Sequence, residues 1–163
     1  MHRDATMSPC GRYRYDLTRR WAEGDFALWV MLNPSTADAA IDDPTIRRCI
    51  DFTRRAGLDA AVVVNLYALR SPNPADLLSH PSPIGPRNDE TIRALAARAA
   101  LAIAAWGAHR AATPRVVPVM NLIRRSMLCL GETRSGAPAH PLYRPAGGPL
   151  VTWALSAHAG ATP

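Results

Sequence analysis

Lysine is absent from this chain of 163 residues, and all 19 basic side chains are arginine. A codon bias toward GC explains arginine in place of lysine, and the 15 prolines fit the same bias. That bias does not explain the formal net charge of +6, which favours an anionic partner such as nucleic acid. Because no lysine is available to form a Schiff base, covalent catalysis through lysine is excluded.

Cysteine is scarce, and long apolar runs are missing. Cys10, Cys49 and Cys129 show no CxxC spacing, which argues against a zinc site or an iron–sulfur cluster. We therefore expect no metal or other cofactor, and reduced thiols in a cytoplasmic protein. Residues 1–10 lack the apolar stretch of a secretory signal, and no run is long enough to span a bilayer. We accordingly expect no membrane partner.

The length and the hydrophobic content of 48% suit one globular domain with a single core. Residues 1–25 are expected to form an N-terminal edge strand or hairpin. Residues 26–157 are expected to form an α/β core, followed by a disordered tail over 158–163. No internal repeat suggests a second unit, and we expect a monomer.

Apolar runs alternate with amphipathic stretches along the core. Four runs predict buried strands: FALWVML (26–32), AAVVVNLYAL (60–69), LAIAAW (101–106) and SMLCLG (126–131). Helices are predicted from Pro44 to near Gly57 with Asp43 as N-cap, over 89–99 and 114–125, with a last helix or turn around 150–157. This alternation predicts a three-layer α/β/α fold with a central four-stranded parallel sheet.

Polar side chains follow the predicted strands at the points where ligands bind in such sheets. Asn33 follows the first strand, Asn65 ends the apolar part of the second, and Trp106-Gly107 closes the third. His140 lies in the loop after the fourth strand. If the fold is as predicted, two amides and one imidazole meet in one crevice.

Four segments in this order resemble the motifs of the uracil-DNA glycosylase superfamily. They are Met31-Leu32-Asn33-Pro34-Ser35, VVVNLYALRSPNP, AAWGAH and AHPLY, and the resemblance covers residues 26 to about 145. It implies that Asn33 positions a water, Asn65 reads the pyrimidine edge and His140 donates to the base O2. At closer range, NPSTAD…DPTIRRC resembles a bacterial and phage family catalogued only as a domain of unknown function.

The chain departs from the superfamily pattern at the positions that contact the base. Met31 replaces the first Gly, and the usual stacking aromatic has no equivalent, Ile46 being nearest. Tyr67 or Tyr143 can stack instead, and Leu142 or Tyr143 is the candidate wedge for the hole left by a flipped base. A second His-Pro-Ser-Pro at 80–83 follows the second strand, and we interpret it as chance composition.

Ser35 carries the inference about substrate. In the uracil-specific branch a bulky Tyr at this place blocks substituents at pyrimidine C5, whereas Ser35, Thr36 and Ala37 are all small. The resemblance therefore implies a base pocket that is open at C5.

Arginines near the motifs are candidates for phosphate contacts. The candidates are Arg47, Arg48, Arg70, Arg134 and Arg144. Arg54-Arg55 is better explained as a solvated helix face.

Together these features predict a monofunctional DNA glycosylase that excises a C5-modified pyrimidine, such as a modified phage cytosine. Each site residue also has a structural explanation: Asn33 as a turn or N-cap residue, His140 as a loop histidine. Asp42 or Asp43 can supply a carboxylate base, although capping fits Asp43 better. A non-catalytic module that binds modified bases or nucleotides, an enzyme of nucleotide or base-modification metabolism, and an arginine-rich domain without a DNA role remain alternatives.

Overall fold

In the residues that the computed structural model describes, 1–35 and 40–155, seven strands form one mixed sheet. The strands are β1 His2–Met7, β2 Arg14–Arg20, β3 Phe26–Met31, β4 Ala60–Asn65, β5 Leu101–Ala104, β6 Met127–Cys129 and β7 Val151–Trp153. Their spatial order is β1-β2-β4-β3-β5-β6-β7.

The mixed α/β class is confirmed, but the sheet is not the predicted four-stranded parallel one. Strands β4, β3, β5 and β6 pair with one another in parallel. On one side of these four strands, β2 pairs antiparallel with β4, and β1 pairs antiparallel with β2. On the other side, β7 pairs antiparallel with β6. The prediction of a helix or turn around 150–157 is wrong for Val151–Trp153, which extends along β6 instead.

Four α-helices connect the strands in the described part of the chain. They are α1 Pro44–Arg55, α2 Asp76–Ser79, α3 Asn88–Ala96 and α4 Thr113–Ile123. The first begins as predicted, because the Asp43 carboxylate accepts a hydrogen bond from the Ile46 N–H at 2.8 Å and Pro44 occupies the first turn. The short α2 lies in the proline-rich segment between β4 and α3.

Hydrophobic cores lie on both faces of the sheet, as the unbroken apolar strands require. One core joins alternate residues of β3 and β4, such as Trp29 and Val63, to α1 through Cys49 and Phe52. The other joins the intervening strand residues to α3 and α4. Six consecutive buried residues in both β3 and β4 fix these two strands at the centre of the molecule.

No helix within the described ranges is long and apolar enough to span a membrane. The predicted tail over 158–163 lies outside the described residues, as do Thr36 and Ala37.

Candidate functional site

A cavity of about 200 Å³ lies at the carboxyl edge of the parallel strands. Met31 and Asn65, the last residues of β3 and β4, line it together with Trp106 after β5 and His140 after β6. The start of α1 and the segment after β4 complete its wall. Parallel sheets bind ligands at this edge, so the cavity is the candidate site.

Asn33 is held in this wall by its neighbours. Its side-chain Nδ2 donates to the backbone carbonyls of Ser71 at 2.9 Å and Pro34 at 3.0 Å. The Ser71 N–H in turn donates to the Pro34 carbonyl at 3.0 Å. Both amide hydrogens of Asn33 are thus used within the protein, and its Oδ1 accepts no hydrogen bond from the described residues. A ligand would therefore meet Asn33 as a hydrogen-bond acceptor.

Asn65 presents the opposite chemistry. The residue is only 1% exposed, yet its Nδ2 finds no hydrogen-bond partner among the described residues. A buried donor without a partner costs roughly 1–3 kcal/mol, so most such groups in native proteins are paired. Because Asn65 lines the cavity, a ligand acceptor placed there would satisfy this donor.

His140 supplies a second donor. Its Nδ1 accepts the N–H of Leu142 at 3.3 Å and so caps the 3-10 turn Pro141–Tyr143. Burial lowers the pKa of His140, although the charge of Asp43 opposes that shift. The imidazole is therefore neutral at neutral pH, with its proton on Nε2.

Two charged residues also line the cavity. Sequence reasoning gave Arg14 no part in the site, and it considered Asp43 as a possible carboxylate base but preferred a capping role. Arg14 is 3% exposed, and burial lowers its pKa to about 10, while the charge of Asp43 opposes that shift. The guanidinium therefore remains charged at neutral pH. Asp43 caps α1 through Oδ1 and accepts a long hydrogen bond from the Ser35 hydroxyl, 3.4 Å away, through Oδ2.

The residues predicted to contact the base divide into two groups. Ser35 and Ile46 line the cavity with Asn65. Tyr67, one of two candidates for stacking on the base, does not line the cavity. Its ring packs in the core on the face of α3 and α4, where its hydroxyl donates to the Ala111 carbonyl at 2.8 Å.

Trp106 is an aromatic residue of the cavity wall. Its indole meets Trp153 edge to face, with ring centroids 5.0 Å apart. The sequence signal for Trp106 was its position directly after a strand, a position that also identified both asparagines.

The candidate wedge residues stand outside the cavity beside His140. Tyr143 is 84% exposed, and its ring lies 5.6 Å from the imidazole. Leu142 is also exposed. Two exposed apolar side chains on the turn capped by His140 are suited to contact a macromolecule at the cavity mouth.

The five candidate phosphate-binding arginines are dispersed, and four of them donate to the protein's own backbone. Arg47 donates to the Asp42 carbonyl, Arg48 to the Arg144 carbonyl and Arg144 to the Glu132 carbonyl. Arg48 thereby holds the segment after His140 against α1. Arg70 donates to the Gly11 carbonyl at 3.3 Å. Arg134 is exposed in a turn and does not line the cavity.

Arg70 lies in a groove of about 430 Å³ that adjoins the cavity. Ser35, Ser71 and Pro72 line both spaces, and Arg12 borders the groove together with Arg70. Both arginines are exposed, and no acidic side chain from the described ranges lines the groove. An anionic chain that enters the cavity can therefore continue over Arg12 and Arg70.

Among the described residues, no three histidine, cysteine or acidic side chains cluster in a way that could hold a metal ion. The cavity's described residues instead offer amides, an imidazole, the guanidinium of Arg14 and the carboxylate of Asp43. Such a set suits hydrogen bonding to a polar heterocycle and acid–base chemistry.

The fold and cavity define a mixed α/β protein with a polar site at the carboxyl edge of its sheet. The chain belongs to the family described as "Protein of unknown function (DUF1643)", whose model matches residues 14–142. The predicted membership of a family of unknown function is thereby confirmed. No curated protein and no solved structure matches the chain.

Proposed function

We propose that this protein is a monofunctional DNA glycosylase with a fold like that of uracil-DNA glycosylases. Its substrate is a flipped pyrimidine that carries a substituent at C5, such as a modified phage cytosine, and its product is an abasic site. One observation carries the proposal: Asn33, Asn65 and His140, from three distant segments, line a single cavity.

The three side chains match the needs of glycosidic bond hydrolysis. Cleavage develops oxocarbenium character on the sugar and negative charge on the base. The free Oδ1 of Asn33 is suited to hold the attacking water, and the Nε2–H of His140 to donate to the base O2. The unpaired Nδ2 of Asn65 is suited to an acceptor on the base edge.

The size of the cavity favours a single base over a larger ligand. Its volume of about 200 Å³ lies below the roughly 300–1,000 Å³ of sites for drug-sized molecules. A base would enter while its sugar and phosphates stay outside, as base flipping requires. Ser35 is exposed at the rim and leaves room for a substituent on the base.

The direct test is base release from defined DNA. Purified protein is incubated with oligonucleotides bearing uracil, a thymine mismatch, hydroxymethylcytosine or its glucosylated form, and alkali-labile abasic sites are measured. We expect release from a C5-modified base and none from Asn33→Ala or His140→Ala, both still folded by circular dichroism. Absence of release from every substrate would contradict the proposal, and saturable binding without release would identify a binding module instead.

The groove beside the cavity gives a prediction about DNA affinity. The logarithm of DNA affinity falls linearly with the logarithm of salt concentration, and each neutralised phosphate adds about 0.9 to the steepness of that fall. A double variant that carries Arg12→Ala and Arg70→Ala should therefore show a fall that is less steep by about 2. Filter binding at several salt concentrations measures it. The matched control is Arg93→Ala with Arg124→Ala, beside a cavity formed by the C-terminal ends of α3 and α4. An equal loss in the control pair would show that the arginines act only through net charge.

A further inference from the structure

The proposed reaction needs an acceptor for the proton of the attacking water. Asn33 can orient that water through Oδ1, but a neutral amide does not accept a proton at ordinary pH. His140 already acts as a donor on the base side. Among the described residues that line the cavity, Asp43 is the one that carries a carboxylate.

Asp43 divides its two oxygens between the helix and the cavity. Oδ1 accepts the N–H of Ile46 at 2.8 Å and fixes the side chain at the start of α1. Oδ2 has one contact in the described part of the chain, the Ser35 hydroxyl at 3.4 Å. That bond is long, so Oδ2 keeps lone pairs for a further donor such as a water.

Two basic side chains line the cavity together with Asp43. From β2, Arg14 acts on it as a buried positive charge. From the segment after β6, His140 lies within its electrostatic influence. Capping alone does not require this setting, because serine or asparagine caps a helix as well as aspartate.

We propose that Asp43 is the general base of this site, with Oδ2 accepting a proton from the water that Asn33 orients. The inference rests on the proposed glycosylase function. The water oxygen forms a bond to the sugar C1′ as the bond from C1′ to the base nitrogen breaks. The bonding electrons leave with the base, whose O2 is hydrogen-bonded by His140, and the water proton passes to Asp43. The departing base anion then takes a proton from solvent.

Substitutions that preserve the cap separate the two roles of Asp43. Asp43→Asn and Asp43→Ser can both accept the Ile46 N–H, whereas Asp43→Ala cannot. Because a general base typically contributes about 10²–10⁴-fold, we expect single-turnover base release to fall by that factor in the Asn and Ser variants. Their melting temperature and DNA affinity should stay near wild type, while the Ala variant loses stability as well. Asp51→Asn, exposed on the same helix, is the matched control and should keep full activity.

The outcomes distinguish this inference from the function on which it rests. Wild-type protein that releases no base from any substrate removes the proposed function. Active wild type together with an Asn or Ser variant of undiminished rate overturns the role of Asp43 alone. A loss of rate in both variants that is matched by a loss of DNA affinity also overturns it, because the carboxylate would then serve binding.

Discussion

His140→Asn is expected to slow base release by about 10²–10³-fold, the usual effect of removing one preorganised donor. The asparagine Oδ1 lies near the position of the imidazole Nδ1 and can accept the Leu142 N–H, so the turn that begins at Pro141 should persist. What the variant lacks is the Nε2–H. Single-turnover kinetics with an oligonucleotide that the wild type cleaves measures the effect.

His140→Gln is the matched variant, because the longer amide carries an N–H to about the position of Nε2. We expect its rate to lie between those of wild type and His140→Asn. Burial keeps the pKa of His140 below its ordinary value, so the wild-type donor is a neutral imidazole, which an uncharged amide can imitate. If His140→Asn released base as fast as wild type, the imidazole would have no part in the reaction.

The parts of the fold that sequence predicted are those with local signals. The start of α1 is set by Asp43 and Pro44, which act within one helical turn. The central strands β3 and β4 are continuous apolar runs, and such a composition predicts that both faces of the strand are buried. Since both asparagines and His140 were located by their position after such strands, the outline of the site followed from the same signals.

Strands that form only by pairing with residues far away in the sequence could not be predicted from local sequence patterns. Val151–Trp153 is too short to have a pattern of its own, and it is a strand only because Trp153 pairs with Met127 of β6. An edge strand or hairpin was predicted over residues 1–25, but its pairing with β4 depends on distant residues. The predicted parallel sheet is therefore smaller than the seven-stranded sheet of the described residues.

Arg14 illustrates the same limit within the site. An arginine in an alternating N-terminal strand is normally solvated if the strand lies at an edge. Here β2 is an interior strand, covered by β1 on one side and paired with β4 on the other. The backbone N–H of Arg14 donates to the Ala68 carbonyl at 3.0 Å. This bond holds Arg14 at the carboxyl edge of the sheet, beside the cavity.

Tyr67 lies away from the cavity for a geometric reason. Tyr67 lies two residues after Asn65, a spacing that keeps side chains on one face of a strand. The strand ends at Asn65, however, and the chain turns there, so Tyr67 packs in the opposite core. Periodicity predicts a face only while the strand continues.

Two buried asparagines are expected to respond oppositely to the same substitution. Asn65→Leu should raise the free energy of unfolding by about 1–3 kcal/mol, because it removes a buried donor that has no partner in the described structure. Asn88→Leu should lower it by about the same amount. Asn88 is fully buried, and its Nδ2 donates to the carbonyls of Asn65 at 2.9 Å and Leu66 at 3.2 Å.

Thermal unfolding of the two variants tests this without any substrate, since about 1 kcal/mol shifts the melting temperature by roughly 2–4 °C at this size. Asn65→Leu should also lose base release, because leucine has no donor for the base edge. A gain in stability together with a loss of activity is expected where a protein leaves a polar group unpaired for its ligand. If Asn65→Leu were instead as unstable as Asn88→Leu, the Asn65 amide would be a structural element, and base recognition would have to come from other residues.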